Sequence, residues 1–140
     1  MTDTNSVPIA KHVFIVDPDP SARNGLARLL RIANYNVHEF AAANEFLDAL
    51  GSEESGCVVL DAGILILSGK ELQEEFKAHG LMLPSIIITA DDNPKIREKA
   101  HQIKASALFR KPVDGTALLD AIDWALNAVH KGKNKIADRK

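Results

Sequence analysis

Four short apolar runs punctuate the chain: Val13-Phe14-Ile15-Val16, Cys57-Val58-Val59-Leu60, Ile86-Ile87-Ile88-Thr89 and Ala107-Leu108-Phe109. Their apolarity is continuous rather than alternating, so each predicts a strand covered on both faces, as in a central parallel sheet. Residues 35–40 mix in Asn36, His38 and Glu39 and predict a fifth strand, at a sheet edge.

Between the strands the apolar spacing changes to the helical period. Ala22, Leu26, Leu29, Leu30 and Ala33 form one stripe, predicting a helix over 21–34 with Ser21 as candidate N-cap. Phe46, Leu47 and Leu50 before Gly51 give a second helix, and Leu72 with Phe76 before Gly80 a third. Pro94 starts a fourth with a thin stripe of Ile96, Ala100 and Ile103; Leu118, Ile122, Ala125 and Val129 make the fifth. Strand and helix alternate five times, which predicts right-handed crossovers and a doubly wound five-stranded parallel sheet, (βα)5, with helices on both faces.

The length of 140 residues suits one domain, expected over 11–130, with residues 1–10 a flexible N-terminus and 131–140 a basic tail or linker start. One cysteine, Cys57, forms no internal disulfide; it reads as a small buried hydrophobe and fits a cytoplasmic protein. No stretch approaches the ~18 apolar residues of a membrane helix. Net charge is −2, but Lys131, Lys133, Lys135, Arg139 and Lys140 against Asp138 put +4 on the tail, leaving −6 (−2 less +4) elsewhere. That balance argues against nucleic-acid binding by the folded body. His12, His38, His79, His101 and His130 are scattered without metal-ligand spacing.

In such sheets ligands bind beyond the carboxyl ends of the strands. Those positions hold Asp17 and Asp19 after the first strand, Asp61 after the third, Thr89 ending the fourth, and Lys111-Pro112 after the fifth. Acids, central Asp, hydroxyl and lysine in that order resemble the receiver domain of two-component response regulators, a CheY-like, flavodoxin-like fold, over residues 11–130. The resemblance implies a signalling domain rather than an enzyme, with Asp61 accepting a phosphoryl group from a histidine kinase or phosphotransfer protein. Thr89 and Lys111 would contact phosphoryl oxygens, and Mg²⁺ would sit on Asp17, Asp61 and the Gly63 carbonyl. It also implies a cis Lys111-Pro112 bond and contacts to an effector domain, a partner or a second copy through the fourth helix, fifth strand and fifth helix. Trp124 lies in that last helix, among core positions or on its exposed flank.

Three departures qualify this. The family's second acid, a direct metal ligand, is replaced by Pro18, which should weaken Mg²⁺ binding. Asp19 either replaces the lost ligand or caps the first helix with Pro20 at its first position. After Asp61 the family's proline and polar residue give way to Ile64-Leu65-Ile66-Leu67. A loop of four aliphatics there folds back or offers an apolar surface to a partner, the second being favoured. Leu108 stands where many receivers carry a switching aromatic, with Phe109 one residue later. The rival is a degenerate receiver acting as a phosphorylation-independent interaction module. A flavin-binding relative fits poorly, because the loop after the first strand lacks phosphate-cradling Ser, Thr and Gly.

Overall fold

The computed structural model describes residues 11–50, 55–78 and 83–130. The expectations for 1–10, for Gly51 and Gly80 as helix stops, and for 131–140 fall outside these residues. Within them β1 (His12–Val16), α1 (Pro20–Ile32), β2 (Asn36–Phe40), α2 (Ala43–Ala49) and β3 (Cys57–Asp61) are followed by α3 (Ala62–Ala78), β4 (Ser85–Thr89), α4 (Pro94–Gln102), β5 (Ala107–Arg110) and α5 (Gly115–His130). The strands form one parallel sheet in the order β2-β1-β3-β4-β5. The order reverses between β1 and β3, and that is where Asp17 and Asp61 emerge.

Side-chain alternation along the strands divides the core in two. Val13, Ile15, Val59, Ile86 and Ile88 face α1 and α5, where they meet Leu30, Leu118 and Ile122. Phe14, Val16, Leu60 and Ile87 face α2, α3 and α4, against Phe46, Leu65, Leu72, Ile96 and Ala100. Each fully buried Ile, Leu or Phe contributes about 1.5–3 kcal/mol relative to leaving it in water. β5 is the second sheet edge, so Ala107, Leu108 and Phe109 are only partly buried, against the two-sided cover their apolar run suggested.

The helix starts follow local chemistry. Asp19, not Ser21, caps α1: its Oδ1 accepts the Ser21 N–H at 3.1 Å, and Pro20 supplies the fixed first φ. Asn93 caps α4 through Oδ1 and the Ile96 N–H at 3.0 Å, ahead of Pro94. Gly56, at φ +150°, lies so close to β1 that a Cβ would stand 2.5 Å from the His12 carbonyl oxygen, which restricts the position to glycine.

The segment after Asp61 corrects the sequence reading. It is no loop: α3 begins at Ala62 and runs 17 residues. No proline interrupts the early helical positions, and Asp61 Oδ2 accepts one of the free N–H groups of the first turn, that of Gly63, at 2.8 Å. Helical spacing turns Ile64 and Leu65 into the core and Ile66 partly so, leaving Leu67 83% exposed. The apolar surface expected for a partner therefore shrinks to one side chain.

Candidate functional site

The acid corner is built by the ends of β1, β3 and β5. Asp17 directly follows β1, and its N–H donates to the Phe40 carbonyl at 3.0 Å, which ties it to β2. Its side chain is 3% exposed. Oδ1 accepts the Asp19 N–H at 2.9 Å, an Asx turn that Pro18 and Pro20 favour by keeping Asp17 and Asp19 extended. Burial pushes the Asp17 carboxyl above the ordinary carboxylate range, and the Asp61 charge adds to this, while the Asp19 amide and Lys111 pull it down.

Asp61 ends β3 at the same level, held by two different donors. Gly63 N–H holds Oδ2, and Lys111 Nζ donates to Oδ1 at 3.3 Å. The same ammonium lies 3.7 Å from Asp17 Oδ2, so one cation serves both carboxylates. Lys111 reaches inward from the end of β5, and the Lys111-Pro112 bond is cis.

Thr89 is buried beside this group, but its hydroxyl is engaged elsewhere. Oγ1 donates to the Asp91 carbonyl at 2.9 Å and accepts the Asp91 N–H at 3.0 Å. Asp92 and Arg97 close the same loop with a bidentate pair at 2.7 and 2.8 Å, which holds the Asp92 carboxyl below its ordinary range. Asp17, Asp61 and Lys111 thus meet directly, while Asp19 sits on the α1 N-terminus. Leu108 packs towards α3 and α4 and Phe109 towards α5, on the opposite face, so Phe109 is not placed to substitute for an aromatic at 108.

One contributor escaped the sequence reading. Arg23, on the first turn of α1, donates through Nη1 to the Asp17 carbonyl at 2.6 Å and pairs with Glu39 at 3.7 Å. The only signal was a basic residue six positions past the acid. Cys57 is buried as expected, its thiol pushed up to about 12 by desolvation and therefore unreactive. Trp124 falls on the flank, 51% exposed.

A converging pair of carboxylates, one deeply buried and raised, is an oxygen-donor set that suits a hard divalent cation. The fold is that of a receiver domain. A family model for the response regulator receiver domain matches residues 13–123, and the chain belongs to that family. The transcriptional regulatory protein TdiR of Thauera aromatica is 37% identical over 117 residues, 84% of this chain and 52% of that protein. The transcriptional regulatory protein FixJ of Azorhizobium caulinodans is 30% identical over 120 residues, 86% of this chain and 57% of that one. The solved structure of the response regulator StyR superposes with a TM-score of 0.76 at 37% identity, covering 94% of this chain and 67% of that one. The chain spans about half the length of the curated relatives it matches. It is a signalling domain of the two-component class, whose receivers bind Mg²⁺ at an acidic pocket, and none of these relatives supports the phosphorylation-independent alternative. No helix among the described residues is long and apolar enough to cross a membrane.

Proposed function

We propose that this domain accepts a phosphoryl group on Asp61 from the phosphohistidine of a histidine kinase or phosphotransfer protein. The observation that carries the reading is the pinning of Asp61 between Lys111 and the Gly63 amide, beside Asp17. An Asp61 oxygen forms the new P–O bond as the donor's P–N bond breaks, and the imidazole leaves with the electron pair. Lys111 balances the charge arriving on the phosphoryl oxygens. The Gly63 N–H holds the other carboxylate oxygen, so the acceptor keeps its orientation. Thr89 gives up the Asp91 carbonyl to donate its hydroxyl to a phosphoryl oxygen, which pulls on the β4–α4 loop that Asp92 and Arg97 close.

Asp17, Asp61 and the Gly63 carbonyl would hold Mg²⁺, which supplies charge neutralisation to the phosphoryl group when bound. Pro18 weakens that site by removing one carboxylate, and Asp19 does not offset the loss while its Oδ1 caps α1. The changed loop is read by an effector domain, a partner or a second copy at α4, β5 and α5, where Trp124 is exposed. A cytoplasmic setting fits these partners. The domain's catalysis is limited to its own phosphoryl transfer.

Incubation with saturating Mg²⁺ and a small phosphodonor, read by intact mass, should give a phosphate adduct that Asp61→Asn abolishes. No adduct at any Mg²⁺ concentration overturns the proposal and leaves an interaction module that works without phosphate.

A further inference from the structure

We infer that His12 and His38 form a binding site for a divalent transition cation of the copper, nickel and zinc class, at the end of the sheet opposite the acid corner. In sequence the two histidines are 26 residues apart and carry no ligand spacing. The sheet brings them together because β1 and β2 are neighbours: Phe14 stands opposite His38, and His12 lies two positions before Phe14 on the same face. His12 Nδ1 and His38 Nε2 face each other at 3.0 Å, with ring centroids 5.1 Å apart.

An N–H···N hydrogen bond joins the two rings, either one donating according to its tautomer. A metal takes the same pair once the rings tilt so that their lone pairs converge, since two ligands with bonds of about 2.0–2.1 Å stand 3.0 Å apart when the angle at the cation is about 95°. That angle belongs to tetragonal Cu²⁺ or Ni²⁺, and Zn²⁺ requires the rings to open by a few tenths of an ångström. On binding, the hydrogen-bonding proton leaves the facing nitrogens, for the outer nitrogen of its ring or for solvent, and both facing lone pairs go to the cation.

The rings are already side by side before any ion arrives. His38 stacks on Phe14 at 5.1 Å with 21° between planes, and His12 stacks on the same ring at 6.2 Å with 19°. Both histidines are only partly buried, so a hydrated ion reaches them. Among the described residues no third His, Cys, Asp or Glu side chain joins the pair, so two nitrogens are what these residues supply. These ligands differ in kind from the oxygen set at the acid corner. Five strand residues, about 16 Å, separate His12 from Asp17. A bound cation would clip the edge strand β2 to the central strand β1, and it would exist only in the folded protein.

The test uses the ¹⁵N-labelled full chain, titrated with Zn²⁺ in excess Mg²⁺ while the imidazole nitrogen resonances are followed. The expected result is a saturable, parallel shift of His12 Nδ1 and His38 Nε2 that leaves His101 in place. Calorimetry with Ni²⁺ should show His12→Gln and His38→Gln each weakening binding on the order of tenfold or more, and His101→Gln leaving it unchanged. Zinc that leaves the two facing nitrogens unmoved overturns the inference, as does binding reported only by other histidines. The nitrogen shifts are read on the unsubstituted chain, so a variant that misfolds does not decide the matter. The acid corner is not involved, so the result is independent of whether Asp61 is phosphorylated.

Discussion

Lys111→Met removes one charge and keeps most of the stem. In the structure Nζ stands 3.3 Å from Asp61 Oδ1 and 3.7 Å from Asp17 Oδ2. At an effective dielectric constant near 20 these separations correspond to gross attractions of about 5 and about 4.5 kcal/mol. Most of that is offset by desolvation, and removing one partner of a fully buried pair costs a net of about 3–5 kcal/mol. Lys111 is 30% exposed and Asp61 18%, so solvent screens part of the loss and the expected net is about 1–3 kcal/mol. For a domain of this size 2 kcal/mol lowers Tm by roughly 6–12 °C. The deficit should be large in chelator, where two like charges are left facing each other. It should shrink in saturating Mg²⁺, because a cation on Asp17 and Asp61 replaces the missing ammonium. Thermal or urea unfolding of wild type and variant under both conditions measures this. An equal deficit with and without Mg²⁺, or none in chelator, would refute the picture of Lys111 as the cation balancing both carboxylates.

Pro18→Asp returns a carboxylate to the position that directly ligates metal in the family and should tighten Mg²⁺ binding on the order of tenfold by calorimetry; unchanged affinity would mean that Asp19 leaves its cap to serve. Asp17→Asn should stabilise the metal-free protein at neutral pH. The Asp17 carboxyl titrates above its ordinary range when folded, so the folded state binds the proton more tightly than the unfolded one. Stability therefore falls as pH rises from the ordinary carboxylate range through the raised value, and the gain from Asn should vanish in acid; urea titrations in chelator that show a pH-independent difference would contradict this. Phe46 is fully buried, with ring centroids 5.6 Å from Phe14 and 5.5 Å from Phe40, so Phe46→Ala should cost about 3–5 kcal/mol in urea unfolding. A loss under about 1 kcal/mol would show that α2 closes the cavity by moving.

The alternation of strands and helices was legible because continuous apolar runs and 3.6-residue stripes are properties of the chain read in order. The strand-end residues were legible for the same reason: Asp17, Asp61, Thr89 and Lys111 each follow or end a run that announces itself. The start of α3 was not. Four aliphatics fit a helix or a strand-like loop equally, and the Asp61 carboxylate that accepts the Gly63 N–H of the first turn is a contact between side chain and backbone that composition does not encode. The partial burial of β5 needed the strand order, which no run of residues carries. Strand order also hid the His12–His38 contact, since only the pairing of β1 with β2 brings the two rings to one place. Arg23 was passed over because a single arginine on a helix reads as solvated until its guanidinium is seen on the Asp17 carbonyl.

The loop between β1 and α1 gives Asp17 and Asp19 different tasks. Pro20 at the first helical position and Asp19 at the cap fix where α1 begins, and the cap contributes about 0.5–2 kcal/mol. Recruiting Asp19 to a cation would forfeit that contribution and expose the Ser21 N–H. It would also disturb the Asp19 N–H that holds Asp17 Oδ1. Asp17, by contrast, keeps Oδ2 directed at Lys111 in the same pocket as Asp61, where a second positive charge relieves its own burial. Pro18 therefore has a backbone role of its own. With Pro20 it holds the backbone extended, so that one acid orients the corner while the other starts the helix. Under the proposed function a cation bound here would draw its affinity from Asp17 and Asp61, and the charge shared between Lys111 and that cation would set how readily Asp61 reacts.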